Sequence, residues 1–245
     1  MPPGSRDDGA RARIQVRVVS YNVRSLRDDA SAVAANLRSL APDLACLQEA
    51  PRFLFAPSKC RQLAEAAGLS VLTGGRVANG NLLLGGPRAT LGTASRLRLP
   101  RSGRRHRRPL ALATVVVDGV RVTLGGTHLS LDPLERLRQV RRVVSRLGVV
   151  GAEPGPHTVL GADVNDGPGS QAWQALTGLL LDAYVAEPCG GELTFPARDP
   201  QRRIDAIFVS ADVTVLGCGV PAGLVDPASA TDHLPVVADL VVQAN

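Results

Sequence analysis

The order of elements in the sequence predicts a layered α/β sandwich. Strand-like and helix-like stretches alternate at first, a run of strands follows, and a helix and further strands close the chain. Strands therefore dominate and helices flank them, which fits a sandwich better than a regular βαβ wind. Hydrophobic residues make up 44% of the 245 residues and aromatics 3%, so a large core can form and it is aliphatic. No linker, internal repeat or low-complexity tract divides the chain, and we place one domain at 13–245. Residues 1–12 read as a solvated, disordered tail.

Ile14–Asn22 alternates apolar and polar residues and reads as a strand. Asp28 or Asp29 then caps a helix with Ala30, Val33, Leu37 and Leu40 on one face, stopped by Pro42. Asp43–Gln48 is a short, mostly apolar strand, and Pro57–Ala67 a second helix closed by Gly68. Leu69–Thr73, Asn81–Leu84, Thr90–Leu99, Leu110–Val117 and Arg121–Thr127 follow as strands, with Asp118-Gly119 as the hairpin turn between the last two. Asp132-Pro133-Leu134-Glu135 combines an N-cap, a proline in the first turn and a capping-box glutamate. The helix it starts carries Leu137, Val140, Val144 and Leu147 on one face. Thr158–Gly161 is a strand and Pro168–Leu176 a short helix; Ile204–Val209, Val213–Cys218 and Pro235–Val242 are the last strands.

Composition narrows the function. No apolar run approaches the roughly 20 residues that span a bilayer, so no stable membrane insertion is expected. Met1–Asp8 has no apolar signal core, which points to a cytoplasmic protein. Cys46, Cys60, Cys189 and Cys218 form no C-x-x-C pair, which argues against a zinc–thiolate site; Cys46 reads as a small buried hydrophobe. The net charge is +6, and every lysine or arginine but Lys59 is arginine. Seven aromatic residues are too few for a base-stacking platform.

Several polar residues sit at strand ends or inside apolar strands. Glu49 follows Leu44-Ala45-Cys46-Leu47, where a carboxylate could hold a hard cation, although a solvated glutamate would look the same. Asn22 ends the first strand; it could ligate a cation, orient a carboxylate or simply form a turn. Asp163 and Asn165 project on the same side if their strand continues, where a carboxylate and an amide could hold water and a phosphoryl oxygen. An Asx-rich loop is the alternative. Thr231-Asp232-His233 precedes the last strand and offers a histidine base. Asp205, buried in Ile204-Asp205-Ala206-Ile207-Phe208, could fix its tautomer or instead bond Arg203. His128 ends another strand, whereas His106 and His157 lie in loop-like contexts. So many polar residues at strand ends point to one phosphoryl-transfer site.

Seven short motifs in order resemble the endonuclease/exonuclease/phosphatase superfamily: Ser20-Tyr21-Asn22, Leu47-Gln48-Glu49, Gly80-Asn81, Thr127-His128-Leu129, Gly161-Ala162-Asp163-Val164-Asn165, Arg203-Ile204-Asp205 and Thr231-Asp232-His233-Leu234-Pro235. The resemblance covers about residues 14 to 242. It implies a four-layer α/β sandwich, two mostly antiparallel β-sheets packed face to face and flanked by helices. It further implies Mg2+ (or Mn2+) held chiefly by Glu49, with Asn22 and Asp232 nearby. His233, oriented by Asp205, would act on the attacking water. Asp163 and Asn165 would lie at the nucleophile and phosphate, His128 at the phosphate or leaving oxygen, and Asn81 at the phosphate. Members differ on whether the residue equivalent to Asp163 or to His233 is the base. Some nucleases of the group carry an acid where this chain has Arg24, so a ligand role is absent there and the guanidinium could reach a phosphate instead.

A monomeric hydrolase of a phosphodiester is therefore expected, with DNA the leading specific substrate. A lipid or inositol phosphate substrate and a non-catalytic phosphate-binding module are the alternatives. Arg96, Arg98, Arg101, Arg104, Arg105, Arg107 and Arg108 could grip phosphates or form a solvated basic hairpin.

Overall fold

The structure is a computed structural model, and it describes residues 13–103, 106–151 and 157–244. The tail at 1–12, and Arg104 and Arg105 of the arginine-rich segment, lie outside the described residues. Among the described residues twelve strands form two six-stranded sheets, with helices on their outer faces. The first sheet has the order β11 (Thr214–Gly219), β12 (Val236–Gln243), β1 (Arg13–Asn22), β2 (Leu44–Gln48), β4 (Leu82–Gly85), β3 (Ser70–Gly74). The second has β5 (Ala89–Leu97), β6 (Leu110–Val117), β7 (Val120–His128), β8 (His157–Asp163), β10 (Asp205–Val209), β9 (Leu181–Asp182).

Each sheet is antiparallel apart from one parallel pair, β1 with β2 and β7 with β8. Adding six to the strand numbers of the first sheet, counted cyclically, gives the order of the second, so the two sheets repeat one topology. The carboxyl ends of both parallel pairs open on one rim. In antiparallel register the strands β4, β6, β10 and β12 begin at that same rim.

Three apolar layers separate the four structural ones. Between the sheets lie Val18, Leu44, Cys46, Leu83, Val122 and Ile207. Helices α1 (Ala30–Leu40) and α2 (Ala56–Ala66) cover the first sheet through Val33, Leu37 and Leu63. Helices α3 (Pro133–Gly151) and α4 (Gln171–Thr177) cover the second through Val140, Val143 and Trp173. The sheets touch at glycine: a Cβ on Gly161 would stand 2.6 Å from Cys46 Cβ. Asp29, not Asp28, caps α1, accepting from the Ser31 and Ala32 amides.

Some expectations are corrected. Asp132 caps α3 by accepting the Glu135 amide at 2.8 Å, but buried Glu135 does not close a capping box. Its carboxylate accepts instead from the Ser102 amide (2.7 Å) and Gln139 Nε2 (3.1 Å). The helix after Pro168 starts later, at Gln171, with Ser170 as cap. His157 is no loop residue: it begins β8, buried, between Asp212 (2.6 Å) and the Gln243 carbonyl (2.7 Å). Two one-turn helices, α5 (Ala183–Ala186) and α6 (Pro227–Ala230), and the two-residue strand β9 were not expected. All four cysteines are free, and Cys46 is fully buried as expected. Among the described residues no helix is long and apolar enough to cross a membrane.

Candidate active site

The rim gathers the expected site residues from both sheets. Asn22 ends β1, Glu49 follows β2, His128 ends β7 and Asp163 ends β8. Asp205 opens β10, and Asn81 and His233 stand just before β4 and β12. Side chains at the carboxyl ends of parallel strands have no further strand to pair with, so they are free to converge.

Asp163 is the hub. Its side chain is buried, and Oδ2 accepts from Asn22 Nδ2 at 2.8 Å, across from the other sheet. The same oxygen stands 3.3 Å from His128 Nε2 and 4.0 Å from His233 Nε2. Its Oδ1 accepts from the Asn165 amide at 3.0 Å. The strand does not continue past Asp163: Asn165 turns to φ 57° and sends Nδ2 to the Leu129 carbonyl, 2.9 Å away. Asp163 and Asn165 are thus neighbours through an Asx turn, not through strand alternation.

His233 and Asp205 form a buried pair, Nδ1 to Oδ2 at 2.8 Å. Arg203 does not compete for Asp205; its guanidinium bonds Asp182 and stacks on Trp173 and Tyr184. Thr194 Oγ1 accepts the Ile204 and Asp205 amides, and the Phe195 ring packs 4.8 Å from the imidazole. Burial works against the imidazolium, but Asp205, then Asp163 and Asp232, outweigh it and hold His233 up at about 9. His128 goes the other way. Burial dominates, Asp163 opposes it and Arg108 adds to it, so the ring is pushed down to about 3 and stays neutral. Its 3.3 Å approach to Asp163 and 3.7 Å approach to Glu49 are therefore contacts of a neutral ring rather than ion pairs.

A metal fits the oxygen-rich side of the rim. Among the described residues the Glu49 carboxylate accepts no hydrogen bond, although its side chain is only 38% exposed. A carboxylate left without donors in a polar cleft suits a hard cation. The Asp163–Asp205–His233 cluster, whose ligand atoms lie within 4.8 Å of one another, is already knit by hydrogen bonds. Asn22 is committed at both ends of its amide, with Oδ1 accepting the Arg24 amide at 3.0 Å. Arg24 bonds Asp28 and reaches Asp232 at 3.3 Å, so its guanidinium is a resident cation beside one expected ligand. Arg24, Ser25 and Leu26 all adopt positive φ, a left-handed run pinned by Ser25 N to the Glu49 carbonyl. Left-handed geometry costs each such residue roughly 1–2 kcal/mol, and strain of this kind concentrates at functional sites. Asn81 is buried and sends Nδ2 to the Pro109 carbonyl at 2.6 Å, leaving Oδ1 without a partner. Arg52 does not stand out in the sequence, where it is one arginine among many; only the fold brings its charge near His128.

The description "Endonuclease/Exonuclease/phosphatase family" belongs to the family model that matches residues 19–233. None of the curated proteins matches the chain. Several solved structures do. An endonuclease/exonuclease/phosphatase family protein from Bacteroides thetaiotaomicron aligns with TM-score 0.79 and 18% identity, covering 96% of this chain and 97% of that one. The mannosyl-6-phosphatase of the same organism gives 0.75 and 20%, covering 92% and 99%. The human Nocturnin catalytic domain, solved with a bound sulfate anion, gives 0.70 and 17%, covering 94% and 97%. At these identities the likeness is one of fold: two mixed sheets between helices, the four-layer sandwich that the motifs implied.

Proposed function

Since the chain belongs to the endonuclease/exonuclease/phosphatase family, we propose that it is a divalent-metal-dependent phosphoesterase that cleaves a phosphodiester bond, DNA being the leading specific substrate. The observation that carries this reading is the convergence on Asp163 of Asn22 from one sheet and of His128 and His233 at the shared rim. Glu49 would hold Mg2+ (or Mn2+), with Asp232 and Asn22 beside it. A cation there would neutralise charge on the phosphoryl oxygens.

The chain's own groups divide the remaining work. His233 has Nδ1 tied to Asp205, so it presents Nε2 towards Asp163. Held up at about 9, the ring carries its proton at neutral pH and is a donor to a phosphoryl oxygen rather than a base. Asp163 then orients the attacking water and takes its proton, while Asn22 and the Asn165 amide fix that carboxylate. His128 offers a neutral N–H to the phosphate or leaving oxygen. Asn165, Asn81 and Arg24 line the path of the phosphate. A phosphomonoester is the second reading, favoured by the mannosyl-6-phosphatase among the structural neighbours.

The test is hydrolysis of bis-p-nitrophenyl phosphate and p-nitrophenyl phosphate with Mg2+ and with EDTA. Wild type should turn over the diester only with metal, and Glu49→Ala should abolish that turnover with an unchanged circular dichroism spectrum. Near-normal rates for Glu49→Ala at low millimolar Mg2+ would sink the metal assignment.

A further inference from the structure

Beside the catalytic rim the two sheets leave a second concavity. It is a cavity of about 320 Å3, lined by Arg76, Arg96, Arg98, Arg101, Arg107 and Arg108. That volume lies at the lower end of the roughly 300–1,000 Å3 common for small-molecule sites. The arginines come from three places. Arg76 follows β3 at the edge of the first sheet; Arg96 and Arg98 stand at the end of β5; Arg107 and Arg108 lead into β6. Pro100 and Ser102 are pinned to α3, because Glu135 accepts the Ser102 amide (2.7 Å) and Gln139 Nε2 donates to the Pro100 carbonyl (2.9 Å). Asn79 bonds the Arg107 carbonyl, and Arg96 bonds the Val77 carbonyl at 2.6 Å, which joins the wall from one sheet to that from the other.

Apart from Arg101, the arginines of this cavity have no direct counter-ion among the described residues. Several arginines elsewhere are paired: Arg17 with Asp239, Arg88 with Asp43 and Asp118, Arg136 with Asp166, Arg203 with Asp182. Among the described residues no carboxylate lies within ion-pair distance of Arg76, Arg96, Arg98, Arg107 or Arg108. These guanidinium groups are exposed but for half-buried Arg108, and together they create a local positive potential that a bound anion would lower.

The cavity also shares a wall with the catalytic site. Leu110 pairs with Thr127, so Pro109 and Arg108 run alongside His128. Pro109 lines the cavity, and its carbonyl accepts from Asn81 Nδ2 on the catalytic side. Arg108 is half-buried; burial opposes its charge, which Asp163 and Glu49 favour from the catalytic side.

We infer that this arginine-lined cavity is an anion subsite that receives a second phosphate of the substrate, next to the phosphate being cleaved. The inference rests on the phosphoesterase reading and deepens it: the preferred substrate is a phosphoester that bears a further phosphate nearby. Guanidinium groups suit it because each can make two parallel hydrogen bonds to one phosphate. Two sources share that chemistry, a small polyphosphorylated molecule and the neighbouring phosphate of a nucleic-acid strand.

The experiment measures binding apart from turnover. The full chain, in EDTA at low salt, is titrated with pyrophosphate and separately with a ten-residue thymidine oligonucleotide. Three proteins are compared: wild type, Arg76→Ser/Arg98→Ser, and Arg141→Ser/Arg142→Ser. The last removes the same charge from an exposed face of α3 away from the cavity. The cavity variant should bind at least one probe about tenfold more weakly or worse, with the α3 variant close to wild type and thermal melting unchanged in both. Weakening of the oligonucleotide alone identifies the second phosphate as that of a strand; weakening of pyrophosphate as well identifies a compact polyphosphate. Equal affinities in all three proteins, or equal weakening in both variants, would overturn the subsite. Bis-p-nitrophenyl phosphate, which has no second phosphate, should be hydrolysed by the cavity variant at the wild-type rate with Mg2+. Failure of every protein to hydrolyse it would overturn the catalytic reading while leaving the binding result to decide the cavity.

Discussion

At the scale of single residues, the two histidines facing Asp163 are held in opposite states by their partners. His233 has a carboxylate on Nδ1, whereas His128 has burial and the Arg108 charge against it. If His233 and Asp205 act as a unit, His233→Ala and Asp205→Asn should each lower kcat by about 10²–10⁴-fold. The double variant should lose little more than the worse single one; fully additive losses would dissolve the pair. His128 gives a prediction for stability. Its ordinary value is 6.5 and its folded value about 3, so the unfolded chain takes up the proton first as pH falls. Stability supplied by the neutral ring is complete above 6.5 and is lost on the way down to 3, costing about 1.5 kcal/mol between pH 6.5 and 5. Urea titrations of the metal-free protein should show that loss in wild type and its near absence in His128→Asn. Most of these residues were legible in the sequence because a polar group at the end of an apolar strand stands out. Their roles were less so. Asn22 could be a ligand or an orienting group, and only the cross-sheet bond to Asp163 shows the orienting contact.

At the scale of elements, most helices and strands follow from periodicity and caps and were readable within a residue or two, whereas α4 starts three residues later than expected and α5, α6 and β9 were missed. The errors arose where a side chain had a tertiary partner to choose. Glu135 has the right spacing for a capping box, yet the Ser102 amide, 33 residues away, takes its carboxylate. Asp163 and Asn165 have the spacing of one strand face, yet Asn165 leaves the strand for a left-handed turn. Sheet-to-sheet contact was equally hidden, because it depends on which glycine meets which side chain. Gly161 lies against Cys46, so Gly161→Ala should cost about 1–3 kcal/mol by overpacking, read as a lower urea midpoint at unchanged slope. An unchanged midpoint would mean that the sheets can separate locally without penalty.

At the scale of the whole molecule, strand order and register were beyond the sequence, since pairing partners such as Asn22 with Gln48 or Arg13 with Gln243 are set by global closure. The arginine-rich segment was visible, but not that Arg76 from the other sheet would complete its cavity. If nucleic acid is the substrate, binding to duplex DNA should weaken steeply with salt, since each phosphate contact releases counterions. In Arg101→Ser/Arg107→Ser the log–log slope should be shallower by about 0.9 for each phosphate no longer neutralised; an unchanged slope would assign those arginines to solvent. The repeated topology has a consequence for how the chain is threaded. Under the six-strand shift, the hairpin between β6 and β7 at Asp118-Gly119 takes the same place as the gap between β12 and β1. At that gap Arg13 already lies opposite Gln243 in register. A circular permutant with Gln243 joined to Arg13 by a short turn, and new ends opened between Asp118 and Gly119, would keep every strand pairing and leave the catalytic rim at the opposite end of β7 untouched. Such a chain should fold and keep the parent's activity, because its order of synthesis changes while its set of contacts does not.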